Sequence, residues 1–158
     1  MKKIIVETVG NSIMVSLFAA SLVEFFSMNA QYTDNGFEST TGNISIVFVV
    51  YLVLFGLIRW GISKRNKDYS LKDGEFSASD EREKNNAYFA SVVSYKAIIT
   101  SLIISLFIFV FIEITTNPPF NNTFDLFISG IILFTIVICV GFISYGTAWI
   151  FKDTRYIG

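Results

Sequence analysis

A chain of 158 residues has the length of one ordinary domain, but 53% of its residues are hydrophobic and 17 are phenylalanine, which is too apolar for a soluble domain of this size. A net charge of -1 provides no basic surface for nucleic acid, the lack of histidine removes the commonest general base and transition-metal ligand, and the single Cys139 excludes an internal disulfide. We therefore expect a membrane protein that is not an enzyme, holds no metal or cofactor and has lipid as its main surroundings.

Four apolar runs follow one another along the chain, and each reaches the roughly 20 residues that a helix needs to cross a bilayer. They cover residues 4–26, 44–62, 92–114 and 124–151. Because lipid offers no hydrogen-bond partner to backbone amides, each run is expected to be helical. The sequence predicts an all-α fold, an integral membrane four-helix bundle that forms a single domain over residues 1–158.

The cations lie on one side of these runs. All 12 Lys and Arg residues fall at the N-terminus, in or beside the loop 63–91, or after the fourth run, and the other two loops contain none. Cytoplasmic loops are enriched in Lys and Arg, so we expect both termini and the loop 63–91 in the cytoplasm of a bacterial cell. Lys2 and Lys3 before the first run also fit a signal peptide, but that run is longer than a usual signal, so we expect an uncleaved helix.

Residues 77–89, SASDEREKNNAYF, form a highly polar segment between two apolar runs. Ser77 and Asp80 have the spacing of a capping box, with Ser79 as an alternative cap, and acidic residues in a first helical turn face the positive end of the helix dipole. No helix-breaking residue follows before residues 117–119. We expect one helix of about 35 residues that extends the third span into the cytoplasm.

Two roles are open for this polar segment. It either only starts and orients the third helix, or it also serves as a docking site for a cytoplasmic protein partner. The residues of the candidate docking site are Asp80, Glu81, Arg82 and Glu83.

The same four residues, followed by a polar turn and a membrane helix, resemble a helix start in uncharacterised families of small Firmicutes membrane proteins, in which a D-E-R-acid signature precedes a helical hairpin. Some proteins of that kind resemble accessory or immunity components encoded near peptide exporters. The resemblance implies a helical hairpin and an accessory role for the second half of this chain. Asn85 and Asn86 stand where such sequences often carry apolar or basic residues, so no residue role is carried over.

Ionisable residues occur near the ends of the apolar runs rather than at their centres. Glu24, Glu113 and Asp125 are expected near the outer interface, where they either attract a cation or a cationic peptide, or are only solvated. Glu7 lies near the inner boundary and is expected to reach Lys2 or Lys3. No carboxylate is placed near midplane, where a proton-coupled carrier needs one.

Small residues recur every four positions in two of the runs, so that each set lies on one helix face. Such faces allow close helix packing, either within the bundle or against a second copy or another protein. The two sets are Ser12, Ser16 and Ala20 in the first run, and Ala97, Ser101 and Ser105 in the third.

The function that fits these features is that of a non-enzymatic accessory, regulatory or immunity protein acting through protein contacts in the bilayer. A cytoplasmic partner would meet the polar segment, and a cationic peptide would meet the outer acids. The alternative is a small transporter or channel subunit built by oligomerisation, with Glu24 and Glu113 in an outer vestibule.

Overall fold

The computed structural model describes residues 2–27, 31–33, 36–38, 42–65, 69, 72–76, 80–115 and 123–154. Side chains are described for residues 3–25, 42–65, 69, 72–74, 76, 80–111 and 126–154. The helices are α1 (Lys2–Ser27), α2 (Asn43–Arg65), α3 (Glu81–Thr115) and α4 (Thr123–Thr154), with a short 3-10 turn at Gly74–Phe76.

All four helices are long and apolar enough to cross a membrane. Their lengths follow from the apolar runs, because each run forms a helix that satisfies its own backbone hydrogen bonds. The predicted all-α architecture with four membrane-spanning helices is confirmed. The protein is a multi-pass membrane protein.

A short antiparallel hairpin stands between α1 and α2, and the sequence analysis did not predict it. It consists of β1 (Gln31–Thr33) and β2 (Gly36–Glu38), with Tyr32 paired to Phe37. The turn-forming run Asp34-Asn35-Gly36, flanked by these two aromatic residues, is a signal that would have found it.

The helices pack in the order α2, α1, α4, α3. α1 contacts both α2 and α4, and α4 contacts both α1 and α3, whereas in the described ranges α2 makes no comparable contact with α3 or α4. At the α1–α2 contact Gly10 lies directly against the ring of Phe55, where a side chain would not fit. Tyr51 strengthens this contact, since its hydroxyl donates to the carbonyl of Gly10 at 3.0 Å.

Buried side chains concentrate at the end of the bundle where α1 and α3 begin and α2 and α4 finish, which we call the basic end. The apolar cluster at this end comprises Ile4, Ala90, Tyr145, Ala148 and Trp149. Along the rest of α2 and α3 the apolar side chains are mostly exposed. Lipid is a suitable neighbour for those side chains, so close packing is needed mainly at the basic end.

α3 has 35 residues and confirms the prediction of one long helix that continues beyond the third apolar run. Its cap differs from the predicted one, because Asp80 itself caps the helix and does not lie in its first turn. The Oδ1 atom of Asp80 accepts a hydrogen bond from the amide of Glu83 at 2.6 Å, and its carbonyl accepts from the amide of Lys84 at 3.0 Å. The predicted alternatives, Ser77 and Ser79, lie outside the described residues.

Replacing Asp80 with alanine is expected to lower the free energy of unfolding by about 1 kcal/mol, because the first turn of α3 loses its side-chain acceptor. Equilibrium unfolding in detergent micelles measures this change, and hydrogen exchange at residues 81–84 locates it. Glu81→Ala is the control, since Glu81 is exposed. Equal effects of the two substitutions would show that Asp80 does not act as the cap.

Candidate functional site

The basic end is held together by ion pairs between residues that lie far apart in the chain. Each pair joins two different helices, so that α1 is linked to α2 and to α3, and α3 is linked to α4. The pairs are Arg59–Glu7 at 2.9 Å, Lys3–Glu83 at 2.8 Å and Arg82–Asp153 at 3.3 Å.

Glu7 is the most deeply buried acid in this group, with 1% of its surface exposed. Its Oε1 atom accepts a hydrogen bond from Arg59 Nε and another from the hydroxyl of Tyr69, and Arg59 Nε also donates to that hydroxyl at 3.2 Å. Its Oε2 atom is buried and has no hydrogen-bond partner among the described residues. Of the two lysines expected to reach Glu7, Lys3 instead reaches across to Glu83 on α3, and the side chain of Lys2 lies outside those described.

Tyr69 lies in the loop between α2 and α3 and is 4% exposed. Burial raises the pKa of its phenol, with smaller contributions from Arg59 that lower it and from Glu7 that raise it. The hydroxyl therefore remains protonated under physiological conditions and acts as a donor to Glu7. This contact attaches the loop to the end of α1.

A second buried polar group joins α3 to α4. Asn86 is fully buried, and its Nδ2 atom donates to Asp153 Oδ1 at 3.2 Å, while Asp153 is 3% exposed. Arg82 pairs with the same carboxylate oxygen. Burying the carboxylate is tolerated because a cation and an amide donor compensate for the water it has lost.

These contacts show where the structure places the candidate docking residues. Asp80 caps α3, Arg82 pairs with Asp153, and Glu83 pairs with Lys3. Glu81 is exposed. Three of the four residues thus take part in the start of α3 or in the packing of the bundle. This agrees with the role in which the polar segment starts and orients the third helix, rather than with a docking role.

The outer acids are placed apart from this group. Glu24 accepts hydrogen bonds from the amides of Ile44 and Ser45 at 3.2 and 3.1 Å, so a carboxylate of α1 caps the start of α2. Glu113 lies in the last turn of α3 and Asp125 in the first turn of α4, with side chains outside those described. Of the three acids expected near the outer interface, the structure thus describes the side chain of Glu24 only. That carboxylate binds the backbone amides at the start of α2.

The small residues of α1 and α3 lie at helix contacts and at the grooves beside them. Ser16 of α1 lies 3.7 Å from the sulfur of Cys139 on α4, and Ser12 donates to Thr8 in its own helix at 2.8 Å. Ala20 lines a groove beside α4. On α3, Ser105 lines a groove shared with α4, Ser101 donates to the carbonyl of Ile98 at 2.9 Å, and Ala97 is half-buried.

Two described grooves beside α1 and α4 have mostly apolar linings. One of about 480 Å³ lies between α1 and α4 and ends near Glu24, and another of about 430 Å³ lies on α1 and α4 near Phe109 of α3. Several hydroxyls in this region, such as that of Thr135, donate to carbonyls of their own helix. Among the described residues no group of three or more Cys, Asp or Glu side chains is arranged to hold a metal ion.

Arg59, Tyr69 and Asp153 are site residues that were not predicted from the sequence. Arg59 lies near the end of the second apolar run and Glu7 near the start of the first. Consecutive helices run in opposite directions through a bilayer, so the two charges reach the same depth, and an ion pair could have been predicted on that ground. The sequence carries no comparable signal for Tyr69.

Comparisons with known proteins add no further evidence on function. No protein family, curated protein or solved structure matches this chain.

Proposed function

We propose that the protein is a non-enzymatic accessory, regulatory or immunity protein of a bacterial cell membrane, and that it acts by binding another protein within the bilayer. We place both termini and the ion pairs of the basic end in the cytoplasm. The distribution of the Lys and Arg residues supports this orientation.

The observation that carries the proposal is the position of α2 at the edge of the helix row. α2 packs against α1 through Tyr51, Phe55 and Arg59, and most of its remaining circumference is apolar and exposed. An edge helix of this kind is accessible to a helix of another membrane protein. Association in lipid depends on close packing, because burying apolar surface gains little where the solvent is itself apolar.

Gly56 marks the face of α2 that is best suited to such a contact. It is exposed, and apart from its chain neighbours and the nearby backbone of α2 no atom of the described residues lies within 4 Å of the position that a Cβ atom would occupy. Val49, Leu52, Val53 and Trp60 are exposed and lie on the same side of the helix. A glycine flanked by larger apolar residues lets a second helix approach the backbone of α2 closely.

The two surfaces suggested by the sequence contribute less to this proposal. The polar segment at the start of α3 uses Arg82 and Glu83 within the bundle, and Glu24 is engaged at the start of α2. A contact through α2 needs neither surface. It therefore supports an accessory or regulatory role more directly than capture of a cationic peptide outside the cell.

The transporter alternative gains no support from the described residues. Such a protein needs a polar, hydrated path, whereas the two grooves beside α1 and α4 have mostly apolar linings, in which the polar residues are Glu24, Ser16 and Thr135. The deeply buried Glu7 lies at the basic end and is paired with Arg59.

The test is affinity capture from gently solubilised membranes of the host cell, comparing Gly56→Leu with the unchanged protein. Leucine at this position should reduce recovery of the partner by roughly tenfold, because it holds the two backbones apart. Gly61→Leu is the matched control, since Gly61 also has open space around it but lies on the opposite flank of α2. Equal recovery with all three proteins would overturn the proposal, and recovery of a differently tagged copy of this chain would identify the partner as itself.

A further inference from the structure

Part of the loop between α2 and α3 lies across the basic end, and its described contacts with the helices include those of Tyr69, Gly74 and Phe76. We call Tyr69 together with residues 72–76 the strap. Its first contact is the hydrogen bond from the hydroxyl of Tyr69 to Glu7 of α1. The buried position of Tyr69 places the strap directly over the Glu7–Arg59 ion pair.

The second contact is made by Gly74, which is buried and has a φ of 53°. A side chain at this position would lie 2.7 Å from a terminal nitrogen of Arg59 and 3.7 Å from Glu7 Oε2. Both the backbone conformation and the close approach favour glycine. The strap therefore covers the ion pair with bare backbone.

The third contact is made by Phe76, whose ring meets the edge of Tyr145 with centroids 5.2 Å apart. Tyr145 belongs to the buried apolar cluster of the basic end. Phe76 itself is 54% exposed and lines a groove of about 340 Å³ between α3 and α4. The contact described at this end of the strap is thus an aromatic one in which the Phe76 ring is partly exposed.

The position of the strap over the Glu7–Arg59 ion pair, which we call its closed position, has an energetic cost. Within the described part of the chain Glu7 Oε2 is buried without a hydrogen-bond partner, and an unsatisfied buried carboxylate oxygen opposes the state that buries it. Lifting the strap would admit water to this oxygen. Neither of the ion pairs Lys3–Glu83 and Arg82–Asp153 is formed by a strap residue, and among the described contacts the apolar cluster meets the strap at Phe76. Lifting the strap therefore does not require either ion pair to break.

We propose that the strap is a releasable cover, which opens to expose Glu7 and Arg59 while the four helices remain packed. The closed form is favoured by the contacts of Tyr69, Gly74 and Phe76, and the open form is favoured by hydration of Glu7. Release also uncovers the inner end of the groove between α3 and α4. The inference concerns the protein alone and does not depend on the proposed partner of α2.

Electron paramagnetic resonance of a spin label on the strap tests this. Lys72 is exposed between the strap contacts, so Lys72→Cys in a Cys139→Ser background carries the only label. In lipid nanodiscs the spectrum should contain an immobilised and a mobile component. Tyr69→Phe should raise the ratio of mobile to immobilised label roughly tenfold, since it removes a hydrogen bond to a charged group.

Two further variants separate strap release from general loss of structure. Gly74→Ala should raise the mobile fraction through its clash with Arg59 without altering Glu7, whereas Tyr88→Phe should leave the spectrum unchanged because Tyr88 is 72% exposed on α3. The fluorescence of buried Trp149, measured in proteins that also carry Trp60→Phe, should stay constant in all of them. A single component unaffected by Tyr69→Phe and Gly74→Ala, or a mobile fraction that rises only when Trp149 becomes exposed, would overturn the proposal.

Discussion

Replacing Glu7 with alanine is expected to lower the free energy of unfolding by about 3 kcal/mol, because it leaves Arg59 and Tyr69 without their shared acceptor. Breaking a buried ion pair by removing one partner typically costs about 3–5 kcal/mol. Arg59 keeps 29% of its side chain exposed, so water compensates part of the loss and the effect should fall at the lower end. Reversible unfolding by a denaturing detergent in mixed micelles measures the change.

Two other substitutions of acidic residues provide stability losses with which the loss in Glu7→Ala can be compared. Glu7→Gln keeps an oxygen acceptor in the same place and should lose less than Glu7→Ala, since hydrogen bonds from Arg59 and Tyr69 remain available. Glu81→Ala removes an exposed acid at the same end of the bundle and should change stability by about 0.5 kcal/mol or less. If Glu7→Ala is no more harmful than Glu81→Ala, the pair with Arg59 contributes nothing to holding α2 against α1.

The spans could be predicted from sequence because a bilayer imposes one simple requirement on the chain. A segment that crosses hydrocarbon must be long, apolar and helical, and each of the four runs meets all three conditions. The length of α3 was predictable for a similar reason, since no residue after Asp80 interrupts the helix before Asn117. The order α2, α1, α4, α3 was not predictable, because exposed and packed apolar faces have nearly the same composition in lipid.

The ion pairs of the basic end were harder to predict. The charged residues at the start of α3 were identified, but whether they point outward or toward α1 and α4 depends on how the helices pack. Arg82 and Glu83 look like a free docking motif in the sequence, and in the structure each meets a charge from a distant part of the chain. A charge run next to a membrane helix can thus be needed for internal packing even where its sequence suggests an exposed surface.

Replacing Trp149 with alanine is expected to have the other large effect, a loss of about 3–5 kcal/mol in the free energy of unfolding. Trp149 is 2% exposed and packs in the apolar cluster with Ile4, Ala90 and Tyr145. Its removal leaves a cavity where α1, α3 and α4 meet, and alanine cannot fill it. The same detergent unfolding experiment measures this loss.

Trp60→Ala is the matched control, since Trp60 is the other tryptophan and is 56% exposed on α2. Truncating it removes an exposed indole and its contact with Lys64, whose ammonium lies 5.1 Å from the ring centroid, so the expected loss is about 1 kcal/mol or less. The difference between the losses in the free energy of unfolding for Trp149→Ala and Trp60→Ala measures how strongly stability is concentrated at the basic end. Similar losses would mean that the exposed apolar surfaces contribute as much to the free energy of unfolding as the buried cluster does. The basic end, with its strap and ion pairs, would then be no more stable than the rest of the bundle.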